Sequence, residues 1–171
     1  MIELLILYIL NNQERTLYSL RAEITEKFGF FTKPSIGTLH PALKRLMKAG
    51  SVTVRSSFSE GGKKSTYYGT TPSAKKHFKE LFSLNFSENP SQFFMELQTK
   101  LSTMLLLSRE DRLMFLDDAI LKLESFILDL KNMTEDEYIT FDEIQKMLLE
   151  KNLSDISGYI ELMKSLKEKM Q

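Results

Sequence analysis

The sequence contains no cysteine and only two histidines, and these two scarcities argue against several kinds of catalytic and metal site. Without cysteine there is neither a disulfide framework nor a thiolate metal site, which fits a reducing compartment. His40 and His77 lie in separate segments, and neither has a carboxylate at the spacing of a catalytic triad or a metal site. No glycine-rich phosphate-binding motif is present. We therefore expect no enzymatic activity, no cofactor and no metal.

Long apolar runs are also missing. The longest run near the start, residues 4–10, is too short to span a bilayer, and it lacks a basic leader because Glu3 precedes it. We expect a cytoplasmic protein without a membrane partner. A chain of 171 residues is long enough for one or two domains with their own cores.

The formal net charge of zero hides a segregation of charge along the chain. Residues 1–84 contain 13 lysines and arginines and 6 acidic residues, a net charge of +7. Residues 85–171 contain 10 and 17, a net charge of −7. A basic half attracts phosphate, and the acidic half should face away from it. This asymmetry alone does not separate DNA from RNA or from an acidic membrane.

The basic half is organised around residues 33–50, which we call the reading helix. Its apolar residues recur at spacings of three and four, the pattern of one buried helix face: Ile36, Leu39, Leu43, Leu46 and Met47. The other side contains no carboxylate and consists of Ser35, Thr38, Ala42, Arg45 and Lys48, flanked by His40 and Lys44. Such a face suits contact with phosphates and base edges, although a solvated basic face has the same composition.

Pro41 leaves the start of the reading helix open between two interpretations. In a helix interior its ring would meet the carbonyl of residue 37, which is Gly37, and that glycine could relax the clash. Alternatively, the regular helix begins with Thr38 as N-cap, which puts Pro41 in the first turn, where its missing N–H needs no partner.

Two β-prone segments follow the reading helix. Gly50 is suited to end the helix, and residues 52–58 alternate apolar and polar side chains in the manner of a half-buried strand. Residues 59–63 contain paired glycines that favour a turn, and residues 64–70 form a second β-prone run. Helix, strand, basic turn and returning strand together predict a winged helix-turn-helix whose two-stranded wing lies on the DNA backbone.

These segments resemble the signature of PadR-family transcriptional regulators. The matching stretches are P-S-I-G-T-L-H-P-A-L-K-R-L at residues 34–46, G-G-K-K at 61–64 and Y-Y at 67–68. The sequence departs from the family pattern at His40, where the family usually has tyrosine, at Thr70 in place of leucine, and at Ala74 in place of glycine. The resemblance covers the N-terminal half and implies a DNA-binding domain over residues 1–84.

The resemblance and the pattern of the reading helix together indicate the residues that contact double-stranded DNA. Thr38, His40 and Lys44 would meet bases or nearby phosphates, and Lys33 and Ser35 would anchor the backbone at the helix start. Lys63 and Lys64 would hold phosphate from the wing. The remaining candidates are Arg45 on the basic face and Tyr18 on the preceding helix, where a plain surface role is an equal alternative.

The acidic half is predicted to be helical. A break with Asn89 and Pro90 follows the wing domain, and we place the domain boundary after residue 84. A helix over residues 91–107 precedes one capped by Ser108, whose apolar residues follow a heptad pattern, and a last helix starts near Thr134 or Thr140. The predicted seam residues are Phe94, Leu97, Leu101, Leu113, Leu116, Ile120, Leu123, Ile127, Leu130, Ile156, Ile160 and Met163.

These helices could close on one another within one chain or bury their surplus apolar stripe against a second copy. The resemblance extends to the helical C-terminal region of the longer PadR subfamily, which serves dimerisation, so residues 85–171 are identified as a dimerisation domain. A twofold dimer would place two reading helices on half-sites about 34–36 Å apart.

The overall prediction is a mainly helical α+β protein that acts as a homodimeric, PadR-type repressor on a pseudo-palindromic operator. The family commonly senses small aromatic molecules, which implies a small aromatic effector, although the twelve phenylalanines and nine methionines fit an ordinary core equally well. The alternative from another class is a protein-binding adaptor that uses the winged-helix scaffold without specific DNA binding.

Overall fold

The computed structural model describes residues 1–58, 62, 64–83 and 85–170. Among these residues the predicted fold class is confirmed: the chain is mainly helical and contains one two-stranded antiparallel sheet. The elements are α1 (Ile2–Leu10), α2 (Leu17–Phe28), α3 (Ile36–Lys48), β1 (Val52–Phe58), β2 (Lys64–Thr70), α4 (Ala74–Phe82), α5 (Pro90–Thr103), α6 (Arg109–Glu135) and α7 (Glu143–Glu168). They form two compact units, one spanning Met1–Leu106 and the other beginning at Leu107.

Helix α1 is the centre of the first unit. Six of its nine residues are buried, and it packs against α2, α3, α4, α5 and β2. A helix that is apolar on nearly all sides must be surrounded by other elements, because any exposed side would leave apolar surface in water. The arrangement of the first unit follows from this requirement.

Helix α3 lies within the predicted reading helix, and both α2 and α3 begin at a hydroxyl cap. Thr16 caps α2 in a reciprocal capping box with Ser19, and Ser35 caps α3 by accepting a hydrogen bond from the Thr38 amide at 3.1 Å. Gly50, just beyond α3, has a φ of 72°, the left-handed conformation that glycine adopts without strain.

The structure decides between the two interpretations of Pro41. Because α3 starts at Ile36, Pro41 lies inside the helix, and the alternative with Thr38 as N-cap is wrong. The expectation that Ala42 faces outward is also wrong, since Ala42 is fully buried with Leu39, Leu43 and Leu46.

The wing has the predicted strands but not the predicted burial. β1 and β2 pair from Val52 opposite Thr70 to Phe58 opposite Lys64. Of the three apolar residues expected on a half-buried face, only Val52 is buried; Val54 is 52% exposed and Phe58 is 68% exposed. Alternation correctly identified a strand, but the outer part of this hairpin extends beyond the core.

The segment after α4 is held against α5. The ring of Phe86 lies 4.7 Å from that of Phe93 and 4.3 Å from the ammonium group of Lys100, which is itself 2% exposed. The carboxylate of Glu96 accepts a hydrogen bond from the Ser87 amide at 2.9 Å. α5 also packs on α1 and belongs to the first compact unit, so the two units divide after residue 106 rather than after residue 84. The functional division at residue 84 stays a prediction.

The second unit is a hairpin of α6 and α7. Ion pairing of Lys167 with Asp117 and a hydrogen bond from Arg109 to the Met170 carbonyl join the end of α7 to the start of α6, so the helices are antiparallel. Ser108 caps α6 as predicted.

The predicted start of α7 near Thr134 or Thr140 is wrong, because Asp142 forms the capping box and the helix begins at Glu143. Two apolar side chains in the first half of α7, Ile144 and Leu148, are 70% and 58% exposed.

The residues predicted to form the dimer seam lie mostly inside one chain. Six are buried within the second unit: Leu116, Ile120, Leu123, Ile156, Ile160 and Met163. Leu113, Ile127 and Leu130 are half-buried there, whereas Phe94, Leu97 and Leu101 lie on α5 in the first unit. Their burial gives the hairpin its core and leaves them little surface to offer a second copy.

Helix α7 runs unbroken through Gly158, which predicts a stabilising substitution. A Cβ at Gly158 would meet no other heavy atom within 4 Å, so Gly158→Ala should raise the free energy of unfolding by about 0.5–1 kcal/mol through reduced chain entropy. Calorimetry of the wild type and of Gly158→Ala would measure this difference in the free energy of unfolding. Gly29→Ala is the opposing control, because its Cβ would lie 2.2 Å from the Thr25 carbonyl oxygen and must destabilise. A lower melting temperature for Gly158→Ala would contradict the finding that a Cβ at this position has no close neighbour.

Candidate nucleic-acid interface

The turn between α2 and α3 is braced from both sides. The Arg21 guanidinium donates from Nε to the Pro34 carbonyl at 3.2 Å, and the Thr32 amide donates to the Phe28 carbonyl at 2.9 Å. Pro34 is buried, and the Phe28 and Phe31 rings lie 6.0 Å apart. These contacts fix the direction in which α3 leaves the turn and therefore which of its residues face solvent.

The first turn of α3 presents two hydroxyl groups. Ser35 and Thr38 are both exposed, and their hydroxyl oxygens lie 3.0 Å apart. Ser35 also caps the helix, so one of its lone pairs is already used. The N-terminus of a helix carries a partial positive charge and unpaired amides, an environment that favours an anion such as phosphate.

The outward face of α3 has a basic central stripe. Gly37, Pro41, Lys44 and Lys48 recur at spacings of four, three and four, which aligns them along the helix, and all four are exposed. Small residues in the first half of the stripe allow a close approach by another surface, and lysines in the second half supply positive charge. Thr38 and His40, both exposed, lie at opposite margins of this stripe.

Arg45 differs from the lysines because it is bound within the protein. Its Nε lies 2.6 Å from a carboxylate oxygen of Glu3, and the Glu3 side chain is only 17% exposed. The pair joins α3 to α1 across 42 residues of sequence. Arg45 therefore helps to hold α3 against α1, and its side chain also lies on the α3 surface.

The wing contributes exposed cations of two kinds. Lys64, at the start of β2, is exposed opposite Phe58. Arg55, by contrast, stacks over the Tyr67 ring at 4.8 Å and pairs with Glu14 at 2.5 Å. Lys63, the other predicted phosphate contact of the wing, lies outside the described residues.

The remaining predicted contacts, Lys33 and Tyr18, lie near the start of the helix-turn-helix. Lys33 is exposed two residues before the α3 cap, and Tyr18 is 75% exposed in the first turn of α2. Neither makes an ion pair with another residue in the described part of the chain.

Two other kinds of site find no support among the described residues. No group of three or more histidine, aspartate and glutamate side chains is placed to hold a metal ion. None of the described helices has the length and apolar character needed to cross a membrane.

Comparison with known families decides what this arrangement of helices and wing represents. Residues 6–80 match the family model described as the transcriptional regulator PadR-like family. The N-terminal domain is PadR-like. The matched region runs from α1 to α4 and includes every candidate contact identified above.

Solved structures of regulators are similar to the whole chain. Bacillus subtilis PadR in complex with operator DNA has 21% sequence identity and a TM-score of 0.46, with 99% of each chain covered. The same protein in complex with p-coumaric acid has 22% identity and a TM-score of 0.41, covering 99% of this chain and 94% of that one. The Vibrio cholerae virulence activator AphA has 19% identity and a TM-score of 0.41, covering 99% and 98%. No curated protein sequence matches this chain.

The contacts predicted from the sequence of the PadR-like domain do not include Lys48. Lys48 lies on the same stripe as Gly37, Pro41 and Lys44. The spacing of these four residues was readable from the sequence, but the stripe could be recognised only once the start of α3 was fixed at Ile36, before Pro41.

A charged network connects the wing of the PadR-like domain to α2. Arg15 forms an isolated antiparallel bridge with Tyr68 of β2, through backbone hydrogen bonds of 2.9 and 2.8 Å. Its side chain pairs with Glu23 at 2.6 Å, and Glu23 also pairs with Lys27 at 2.8 Å. Burial alone would raise the pKa of the Glu23 carboxyl, but hydrogen bonds from Lys27 and Arg15 outweigh it and hold the pKa below 4.5.

This network predicts a loss of stability in acid. Because the folded pKa of Glu23 lies below its unfolded value, its stabilising effect is complete above about pH 4.5 and disappears as the pH falls through the folded pKa. Glu23→Gln should therefore lower the urea midpoint of the PadR-like domain at pH 7, and the difference from wild type should shrink as the pH falls. Glu26→Gln, an exposed position on the same helix, should change neither quantity. A difference that is independent of pH would show that Glu23 contributes no ionic interaction.

Proposed function

We propose that this protein is a homodimeric transcriptional repressor that binds a pseudo-palindromic DNA operator and is released by a small aromatic effector. The observation that carries the proposal is the outward face of α3 in a PadR-like domain, where Lys44 and Lys48 are exposed behind the small residues Gly37 and Pro41. A helix of this shape can enter a major groove about 12 Å wide and bring its cations to base edges and nearby phosphates.

The candidate contacts divide into two classes. Lys33, Ser35 and Lys64 are the proposed phosphate contacts, because they are exposed at the start of α3 and on the wing. Lys63, next to Lys64 in sequence, belongs to the same class. Phosphate contacts supply most of the affinity and little of the sequence preference.

Thr38, His40 and Lys44 are the proposed base contacts. All three are exposed on α3, and hydroxyl, imidazole and ammonium groups can each donate a hydrogen bond to a base edge. Tyr18 is proposed as a backbone contact from α2. Arg45 already pairs with Glu3 through Nε at 2.6 Å, which makes its guanidinium less available to DNA, so we rank it last.

The proposal is tested by fluorescence anisotropy with the purified full-length protein. The probe is duplex DNA from the region upstream of its own coding sequence, compared with a scrambled duplex over a range of salt concentrations. A preference of about a thousandfold that persists near physiological salt is expected of a specific regulator. Equal binding to both duplexes that vanishes with salt would contradict specific recognition of this region, and a dimer without salt-dependent affinity would favour a protein-binding adaptor.

Substitutions in the wing and in α3 should have different effects on DNA binding. Lys64→Ala should weaken binding to every duplex by a similar factor and reduce the slope of log affinity against log salt by about one, because one phosphate contact is lost. Thr38→Val should instead change which sequences are preferred. Both effects can be measured by anisotropy against the upstream duplex and its single-base variants.

Lys169→Ala serves as the control for the lost charge. Lys169 is exposed at the end of α7 in the acidic half of the chain, where no DNA contact is proposed. An unchanged salt slope in Lys64→Ala would remove the wing from the proposed interface. Unaltered sequence preference in Thr38→Val would place base recognition elsewhere.

The dimer is proposed from the apolar surface that the second unit leaves exposed. On α6, Met114, Leu121 and Leu128 are 60%, 65% and 58% exposed, and their spacing of seven residues places them on one stripe opposite the hairpin core. On α7, Ile144 and Met147 are 70% and 65% exposed. Apolar residues repeated along a helix at this spacing are typical of a seam between helices, and a second copy of the hairpin offers the same surface.

This surface predicts that charge on the α6 stripe will separate the protomers. Leu121→Glu and Leu128→Glu should each shift the mass measured by light scattering from about twice 19.9 kDa to 19.9 kDa, because a dimer would bury an unpaired carboxylate. Asn152→Glu, which adds the same charge at an exposed polar position of α7, should remain dimeric. Dimeric Leu121→Glu and Leu128→Glu variants would show that the seam lies elsewhere.

The proposed effector site is a cavity in the first unit. It has a volume of about 210 Å³, and its apolar wall is formed by Leu7, Ala74, Phe78, Leu105 and Leu106. Asn11, Thr70 and Lys75 supply an amide, a hydroxyl and an ammonium group. An engineered cavity of about 150 Å³ holds benzene, so this volume fits one substituted ring. The ammonium group would favour a ligand that carries a carboxylate.

A further inference from the structure

The wing carries an aromatic side chain that the described residues leave mostly exposed. Phe58 is 68% exposed at the end of β1, directly opposite Lys64 at the start of β2. Successive residues of a strand point to opposite faces, so Phe58 shares its face with Ser56, Val54 and Val52. Burial decreases along this face from Val52, which is 4% exposed, outward to Phe58.

The two faces of the wing differ in which side chains could contact a partner. One face holds Arg55, whose guanidinium already stacks on Tyr67 and pairs with Glu14. The Phe58 face presents an aromatic ring, the Lys64 ammonium group and the hydroxyl groups of Ser56 and Thr66, which pair across the strands. None of the described residues on this face is a carboxylate.

The length of β1 determines where Phe58 would lie on a DNA duplex. At about 3.3 Å per residue, Phe58 is about 20 Å along the strand from Val52, and β1 begins only four residues after α3 ends. The major groove is about 12 Å wide. With α3 in that groove, as proposed, a strand of this length is long enough to reach past the groove edge, over the phosphate ridge and to the adjacent minor groove.

We propose that Phe58 is a specificity-determining residue of the wing, whose ring enters the minor groove beside the site of α3 and leans into a flexible base step. This inference rests on the proposed DNA-binding function. Phenylalanine side chains that wedge between base steps from the minor groove act in this way, and pyrimidine–purine steps open most easily. Lys64, opposite the ring, would neutralise a phosphate of the same ridge.

The test compares Phe58→Ala, Phe58→Leu and Lys64→Ala in the full-length protein. The probe is a duplex selected by the wild-type protein from a pool with randomised flanks, labelled with 2-aminopurine at successive flanking steps. Phe58→Ala should weaken binding to this duplex about tenfold, as expected for loss of a stacked ring, and should leave the salt slope unchanged. Lys64→Ala should lower the slope instead.

Two further readouts locate the ring. Wild type should raise 2-aminopurine fluorescence at one flanking step, Phe58→Ala should not, and Phe58→Leu should retain most of the effect because leucine also acts as a wedge. Selection with Phe58→Ala should lose any preference for a pyrimidine–purine step at that position. Tyr138→Ala removes an aromatic ring that is 96% exposed outside the PadR-like domain and should change nothing.

The results separate this inference from the function on which it rests. If the wild type selects no sequence, the proposed function fails and the inference fails with it. If the wild type selects a sequence and Phe58→Ala binds it within twofold, the inference alone is overturned. A Phe58→Ala variant with a lower melting temperature and an altered salt slope would also overturn it, because the ring would then support the fold of the wing and not the contact with DNA.

Discussion

The first unit depends on the burial of α1. This nine-residue helix has six buried residues and is contacted by α2, α3 and α4, by β2 and by α5. Because α1 is apolar on nearly every side, each neighbour gains stability by covering a part of it, and no neighbour can shift without exposing apolar surface. This packing acts together with the contacts of the α2–α3 turn on the direction of α3, and with the Arg15 bridge on the attachment of the wing. Glu3 adds a polar connection from the same helix, since it holds Arg45 on α3.

The arginines of residues 1–84 all have partners within the protein, whereas four exposed lysines of the helix-turn-helix and wing have none among the described residues. All four arginines of residues 1–84 make a contact within the protein: Arg15 with Glu23, Arg21 with the Pro34 carbonyl, Arg45 with Glu3 and Arg55 with Glu14. The lysines at positions 33, 44, 48 and 64 are exposed and pair with no other described residue. A guanidinium group offers several donors in a fixed plane and suits a defined partner, whereas a lysine ammonium group is a mobile point charge. A basic composition therefore overstates the positive charge that is free to meet a ligand.

The sequence was sufficient for features that depend on neighbouring residues and insufficient for those that depend on distant ones. The cap at Ser108, the glycine after α3 and both strands of the wing follow from local patterns, and all are present. The exposure of Val54 and Phe58 could not be predicted from the alternation of apolar and polar residues. Alternation identifies the apolar face of a strand but not how far the protein core extends under that face. The Glu3–Arg45 pair spans 42 residues, and the packing of α5 on α1 joins segments even farther apart. For the same reason, the heptad pattern identified a helical seam on α6 but not whether it closes within one chain or between two.

In the proposed homodimer, the negative charge of residues 85–171 would have a physical role in DNA binding. A single basic domain binds any duplex through phosphate contacts, and this attraction weakens steeply as salt increases. Joining two such domains makes the second contact intramolecular, which raises the effective concentration at a correctly spaced half-site without adding attraction to every sequence. An acidic hairpin is repelled by phosphate, so it would add no non-specific affinity of its own and would favour orientations with α3 toward the DNA. Specificity would then depend on the spacing that the hairpin seam imposes as much as on the side chains of α3, and a seam placed in a basic region would lose this advantage.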